Sequence, residues 1–465
     1  MTENVSILGL LILLVVSCIS AIRGSRAKTG CYIPPPDFAD SATTGGDSSL
    51  LHVAFSVIGT SLGAAITIGY VGLVYKHGLC FMYIGFFFLA GLTLLYTMIP
   101  TIRAQSQSAS ALTFEEYDAK GSRNLKVLIG FVNTLMFLGL LLAQFQALWL
   151  LLDTFVPNRA LWLFLVTAIV VISYTCLYGL RGIFRNDVWQ TLAIVLWLGV
   201  IAWVVIRNAD SIPQIAELPQ VMLNGKSMGL LPLLVAALFI PWTALARADH
   251  WQRIRAATDD RAAQISYGVL LIVMLIAYIA LALGGLMIRV LKPDLQDYNT
   301  APYEMLKLCP PWLAALGIIG IYAALLSSAD SFLNICSLSL VSLFEGFSNS
   351  ASRDNRRRGI LYRIVVAIVG ALAVAIVLCS VNLGLLVILS TTAAIILVPG
   401  FLGHLLGVGN AVNCHIASII FGIIGYIVGI VLLPPDTAFI VAAAAATIAY
   451  VVALALRPLR EAKSP

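Results

Sequence analysis

Continuous apolar stretches of roughly 20 residues, separated by short polar turns, recur from one end of the chain to the other. They fall at about 5–22, 51–75, 79–99, 127–152, 161–180, 188–206, 228–246, 265–290, 312–344, 361–381, 383–405, 413–433 and 436–456. A helix rising 1.5 Å per residue crosses ~30 Å of hydrocarbon in about 20 residues, so each stretch predicts one crossing. Barrel strands would alternate apolar and polar positions over about ten residues, and these stretches do not alternate. The pattern therefore predicts an all-α integral membrane protein of about 13 transmembrane helices. No polar interval is long enough for a soluble domain, so residues 1–465 read as a single transmembrane domain whose function lies among its helices.

The first stretch reads as a retained leading helix rather than a signal peptide. Its leader "MTEN" has no positive charge, and no small-residue cleavage site precedes Arg23, Arg26 and Lys28. Composition agrees with the pattern: 60% of residues are hydrophobic, only 11% are charged, and the mean hydropathy is +0.97. Placing the N-terminus outside puts 21 of the 28 Lys and Arg on the inner side and 7 on the outer. This bias predicts a cytoplasmic C-terminus in a cell membrane. It also accounts for the net charge of +6 without nucleic acid; "RDNRRR", 353–358, reads as a cytoplasmic loop facing anionic lipid. The eight cysteines show no C-x-x-C spacing. Cys80 and Cys309 approach the outer face, and the sequence leaves their pairing open.

Candidate chemistry is concentrated in two places. In "AALLSSADSFLN", 323–334, Ala324, Ser327, Ser328 and Ser331 share an arc of about 100° on a helix, and Asp330 and Asn334 share a second stripe. A lone membrane serine is commonly a packing residue bonded to its own helix. A serine pair followed by an aspartate instead marks a pathway, because ionisable groups in spans face cavities. A hard monovalent cation takes hydroxyl and carbonyl oxygens, and the carbonyls require an interrupted helix. The second stretch offers one at "IGTSLGAA", 58–65, where glycines weaken the helix and Thr60 and Ser61 offer competing bonds; close helix packing is the plain alternative for these glycines. The match of "GTSLG" to G-x-S-x-G, which would make Ser61 an intramembrane hydrolase nucleophile, lacks the strand-to-helix elbow that motif needs.

Taken together, these segments resemble the solute:sodium symporter family, whose members share the inverted-repeat leucine-transporter fold with an extra leading helix. "SVIGTSLGAAITIGYVG" is similar to the first core helix, and "YGLRGIFRNDVWQTL" to the turn into the fifth, with Asn186 in place of the usual threonine while Asp187 and Gln190 remain. "DHWQRIRAATDDRAAQ" resembles the close of the sixth, with Gln252 and Arg253 in the matching places, and "AALLSSADSFLN" the eighth. The resemblance implies a 5+5 inverted-repeat core, 51–206 and 228–405, with one leading helix, 5–22, and two trailing helices, 413–456. It implies a main Na+ site of the Gly59, Leu62 and Ala324 carbonyls and the Ser327 and Ser328 hydroxyls, and a second ion near Asp187 and Ser331.

The solute is expected beside the break, at Thr60, Ser61, Gly63, Gln144, Gln146 and Thr391, each of which can equally serve helix–helix packing. Arg247 stands where relatives often carry Asn or Asp. It can clamp a carboxylate, pair with Asp249, Asp187 or Asp330, or simply lie at the cytoplasmic end of its span. It tilts the reading towards an anionic solute. Pro241 and Pro399-Gly400 are expected bending points. The resulting expectation is a sodium-coupled symporter of a small polar solute, not an enzyme, with the lipid bilayer around it and no nucleic-acid or obligate protein partner. A proton-coupled carrier using Asp330 or Asp187 is the nearest rival.

Overall fold

The computed structural model describes residues 2–24, 48–108, 113–225, 227–347, 355–379, 382–408, 412–434 and 437–456. Cys31, residues 353–354 of the basic run, and the Arg26, Lys28 and 457–463 charges used for orientation lie outside the described residues. The described chain is helical, with one isolated bridge, Ser48–Ala257, as its extended pairing. In chain order the principal helices are α1 (Thr2–Gly24), α2 (Leu50–Ser61), α3 (Val71–His77), α4 (Leu79–Ser108), α5 (Phe114–Asp118), α6 (Arg123–Phe155), α7 (Ala160–Arg207) and α8 (Leu230–Ala246). They continue with α9 (Ala248–Ala256), α10 (Asp260–Leu291), α11 (Ala301–Lys307), α12 (Pro311–Phe347), α13 (Asn355–Leu378), α14 (Leu383–Leu405), α15 (Val412–Leu432) and α16 (Phe439–Ala455).

Among the described residues eight helices are long and apolar enough to cross a membrane, or ten if each of two bent pairs is one crossing. Those pairs are Leu50–Ser61 with Ala65–His77, bent by 45°, and α8 with α9, bent by 42°. The helix ends follow local chemistry: Ser122, Asp259 and Asn382 each accept a first-turn N–H, and Thr113 and Glu116 form a capping box at α5. Helix α12 is the axis of the bundle. Its apolar window is 83% buried, against 33% for those of α4 and α15, so its many hydroxyls must find partners inside the protein.

Three details differ from the sequence reading. Stretches 161–180 and 188–206 form two helices, written together as α7, that meet at Gly179, whose non-helical φ of 51° and ψ of −144° suit a residue without Cβ; the polar interval after it belongs to the second helix, and Asn186 and Asp187 are buried. The second bent span breaks at Arg247 (φ −85°, ψ 120°), while Pro241 stays inside α8. There the backbone of Pro241 abuts Gly91 of α4, where a Cβ would collide with its carbonyl, so the close approach of α8 to α4 needs a glycine. Pro399-Gly400 likewise lies within a continuous α14, with Gly400 making room for the His415 ring. Cys80 and Cys309 are both free thiols.

Candidate ion and solute site

Helix α2 ends where glycine and hydroxyl residues concentrate. The Leu62 N–H still reaches Ile58 O at 3.1 Å, but Ala64 N donates to the side chain of Gln144 on α6 at 2.7 Å. The helix resumes from Gly63, whose carbonyl accepts from Ile66 N, Thr67 N and Thr67 Oγ1 at 3.0, 2.9 and 2.9 Å, and runs on as a widened π turn over Ala65–Tyr70. Gln144 thus supplies one of the partners that the interrupted backbone lost.

The serine pair of α12 packs on this break. Ser328 Oγ donates to Thr60 O at 3.0 Å and lies 3.5 Å from Gly59 O. A Cβ on Gly59 would collide with Ser327 Oγ, and one on Gly63 with Ser328 Oγ and Gln144 Oε1. The two glycines are therefore required by close approach. Leu62, Ala324, Ser327 and Ser328 are all buried.

Below the pair, a buried polar network joins α2, α7, α9 and α12. Ser327 Oγ donates to Asp187 Oδ1 at 2.5 Å, and Thr191 Oγ1 to Phe55 O at 2.9 Å. The Arg253 guanidinium, 1% exposed, donates from Nε to Ser56 Oγ at 3.0 Å and from Nη2 to Thr60 Oγ1 and Ser331 Oγ at 2.5 and 2.7 Å. Asp187 Oδ2 and the Asn186 amide, also buried, have no hydrogen-bond partner among the described residues. The second stripe of α12 faces the scaffold: Tyr174 donates to Asp330 at 2.6 Å and Tyr362 to Asn334 at 2.6 Å. Asp330 is thus held by a tyrosine of α7, with Ser331 Oγ at 3.3 Å.

A cavity of about 250 Å³ opens from the break between α3, α4, α6, α8, α10 and α14. Thr60, Ser61, Gly63, Gln144, Arg247 and Thr391 line it; Gln146, although buried, does not. Sequence reasoning missed most of the wall, which is apolar, with aliphatic side chains and the aromatic rings of Tyr70, Phe81, Phe88, Tyr278, Tyr298, Phe332 and Phe439. The π turn puts Tyr70 on it, a placement that apolar patterning alone does not signal. Arg247 sits at the second break and forks onto Asp249, with Nε–Oδ1 at 2.9 Å and Nη2–Oδ2 at 2.6 Å, which is one of the alternatives open in the sequence. Lys76, His77 and Arg247 line the cavity, and among the described residues no Asp or Glu does.

Two helices broken within the apolar bundle, with carbonyls of one facing hydroxyls of a buried third and a cavity between, define a secondary transporter of the discontinuous-helix type. The sequence matches the family model "Sodium:solute symporter family" over residues 42–408, and the chain belongs to that family. It is a multi-pass membrane transporter, not an enzyme, and sodium is the family's coupling ion. No curated protein matches the sequence significantly. The fold is similar to the substrate-bound outward-open state of a Na+-coupled sialic acid symporter, at 17% identity over 98% of this chain and 97% of that one, with a TM-score of 0.78. It is also similar to Mhp1, a nucleobase-cation-symport-1 family transporter in a closed conformation with bromovinylhydantoin bound, at 16% identity over 91% and 96% of the two chains (TM-score 0.58). An Eremococcus coleocola manganese transporter (mutant H236A) is similar at 16% identity over 90% and 99%, with a TM-score of 0.51.

Proposed function

We propose that the protein imports a small organic anion with a sizeable apolar part, coupled to sodium by alternating access. The main ion site comprises the Gly59, Leu62 and Ala324 carbonyls with Ser327 Oγ and Ser328 Oγ. The carrying observation is the packing of the serine pair on the interrupted end of α2, with Ser328 Oγ 3.0 Å from Thr60 O. Neutral oxygens replace the hydration shell of sodium without burying a second charge. A second ion site lies at Asp187 and Ser331, supported by the partnerless Asp187 Oδ2.

Sodium at the break joins α2 to α12 and so completes the wall against which solute binds. By linkage, solute raises sodium affinity by the factor that sodium raises solute affinity. The membrane potential adds ~2.3 kcal/mol per charge per 100 mV. The preference for an anion follows from a cavity carrying Lys76 and Arg247 but no carboxylate among the described residues, and the apolar part from its aliphatic and aromatic wall. Asp249 occupies Nε and one Nη of Arg247, leaving the other Nη for a solute oxygen. Thirteen crossings, in two five-helix repeats with one leading and two trailing helices, fit this reading: the ten counted by length, α7 turned at Gly179 as two, and the shorter α1 and α16. The lysine and arginine bias puts the N-terminus outside and the C-terminus in the cytoplasm.

Counterflow in proteoliposomes with a panel of carboxylates (sialic acid among them), amino acids and sugars, at fixed pH with sodium exchanged for potassium, tests the proposal. Uptake of a carboxylate that needs sodium, and that is lost in Ser327→Ala/Ser328→Ala, is expected. Uptake indifferent to the cation, or to that double substitution, rejects sodium coupling at the break. Sodium-independent uptake abolished by Asp187→Asn or Asp330→Asn would instead assign the coupling ion as a proton.

A further inference from the structure

Two neighbouring carboxylates on α5 have opposite surroundings. Glu116 takes Lys126 and Arg358, which also bind Glu345, in a network at the ends of α6, α12 and α13. Glu115 is 2% exposed and has no cationic partner among the described residues. Its Oε1 accepts from Ser339 Oγ at 2.5 Å and from Asn133 Nδ2 at 3.0 Å. Two neutral donors do not compensate a buried carboxylate, which is among the groups least tolerant of leaving water.

Beside Glu115 lies a cavity of about 20 Å³, walled by Thr113, Ser339, Ala248, Trp251 and Gln252 as well as Glu115 itself. That volume holds one water-sized occupant. The donors are a carboxylate, two hydroxyls and a carboxamide, the oxygen set of a hard cation. Ser328 and Ser339 are 11 residues apart on α12, three helical turns, so they share a face about 16 Å apart along the axis. Between them that face carries Ile335, which borders the small cavity. Helix α9 is the common wall: Arg253 donates to Thr60 and Ser331 on one side, while Ala248, Trp251 and Gln252 face Glu115 on the other. Displacing α9 would open the upper cluster towards Glu115.

We infer that Glu115, with Ser339 and Thr113, is an inner sodium station that receives the coupling ion after it leaves the break between α2 and α12. This rests on the sodium-coupled reading above. The test is radiosodium binding to the protein in nanodiscs, with choline as the replacement cation and pH fixed. Wild type is expected to show a tight component, from the break and the Asp187 site that Ser327 joins to it, and a weak component from Glu115. Glu115→Gln weakens the second about tenfold or more and keeps the first, while Glu115→Asp keeps both. An isotherm for Glu115→Gln identical to that of wild type overturns the inference. So does loss of all binding in both Glu115 variants, which would make Glu115 a fold anchor. Proton uptake present in wild type and missing from Glu115→Gln, with unchanged sodium binding, assigns the group to a proton and also overturns it. Ser327→Ala/Ser328→Ala separately removes the tight component; if it does not, the ion site at the break fails, whereas the station stands or falls on Glu115→Gln.

Discussion

The two broken spans solve the same problem with different chemistry. Between α2 and α3 the backbone is interrupted by small, uncharged residues, and the freed groups go to Gln144 and to the serines of α12. Between α8 and α9 the break is one extended residue, Arg247, fixed by its own ion pair to Asp249 two positions on. The first break offers neutral oxygen to a cation; the second brings a guanidinium to the cavity. Under the proposed function, such a bundle carries an ion and an anionic solute side by side while each break keeps its own charge paired or absent.

The largest effect expected from disturbing this contrast comes from the charged break. Asp249→Asn leaves Arg247 without its carboxylate in a mostly buried position and is expected to lower stability by about 3 kcal/mol. The melting temperature of the purified protein in detergent reads this directly, and a shift no larger than a surface substitution gives would remove Asp249 from its structural role. At the neutral break, Gly63→Val forces a side chain into Ser328 and Gln144 and is expected to weaken sodium activation by up to about 100-fold. Sodium titration of uptake measures it; an unchanged half-saturation would show that the approach of α2 to α12 is dispensable. Thr391 donates to Val387 O at 2.9 Å within its own helix although it lines the cavity. Thr391→Val should therefore change apparent solute affinity only about two- to threefold, a loss of roughly 0.6 kcal/mol.

The smallest effect lies outside the membrane. At Glu304 on α11, burial raises the carboxyl pKa, but hydrogen bonds from Lys292 and Lys307 outweigh it and hold the group below its ordinary value. A depressed folded value contributes stability above the unfolded value, lost as pH falls through the folded one. Glu304→Gln should thus lower stability slightly at neutral pH, with the difference from wild type vanishing as pH falls below the usual carboxylate range, so that the profile flattens there. A loss of the same size in acid as at neutral pH would contradict the pairing.

The neutral break was legible in the sequence because its cause is local. "IGTSLGAA" carries its own helix-weakening residues, and the α12 stripe follows from a fixed 100° per residue. The charged break was not. Pro241 is the stronger local signal, yet it stays within α8 with its carbonyl packed on Gly91, and the ion pair that fixes Arg247 gives no periodic mark. The turn at Gly179 was read, but the helical course of the interval after it was hidden for the same reason, since "RGIFRND" looks like a loop until tertiary contacts bury Asn186 and Asp187. Asp330 read as a pathway residue, but its hydroxyl partner Tyr174 comes from α7, 156 positions away. Local conformation is written in neighbouring residues; the choice among partners is written in the packing.

The backbone bond from Ser48 N to Ala256 O, with Arg253 reaching Ser56 and Thr60, fastens the start of α2 to α9. These two half-helices come from different halves of the chain, yet they are stitched together like facing leaves of one door. Inward opening must then swing them as a pair or tear the seam first, and a covalent staple across residues 48 and 256 would discriminate between those two motions.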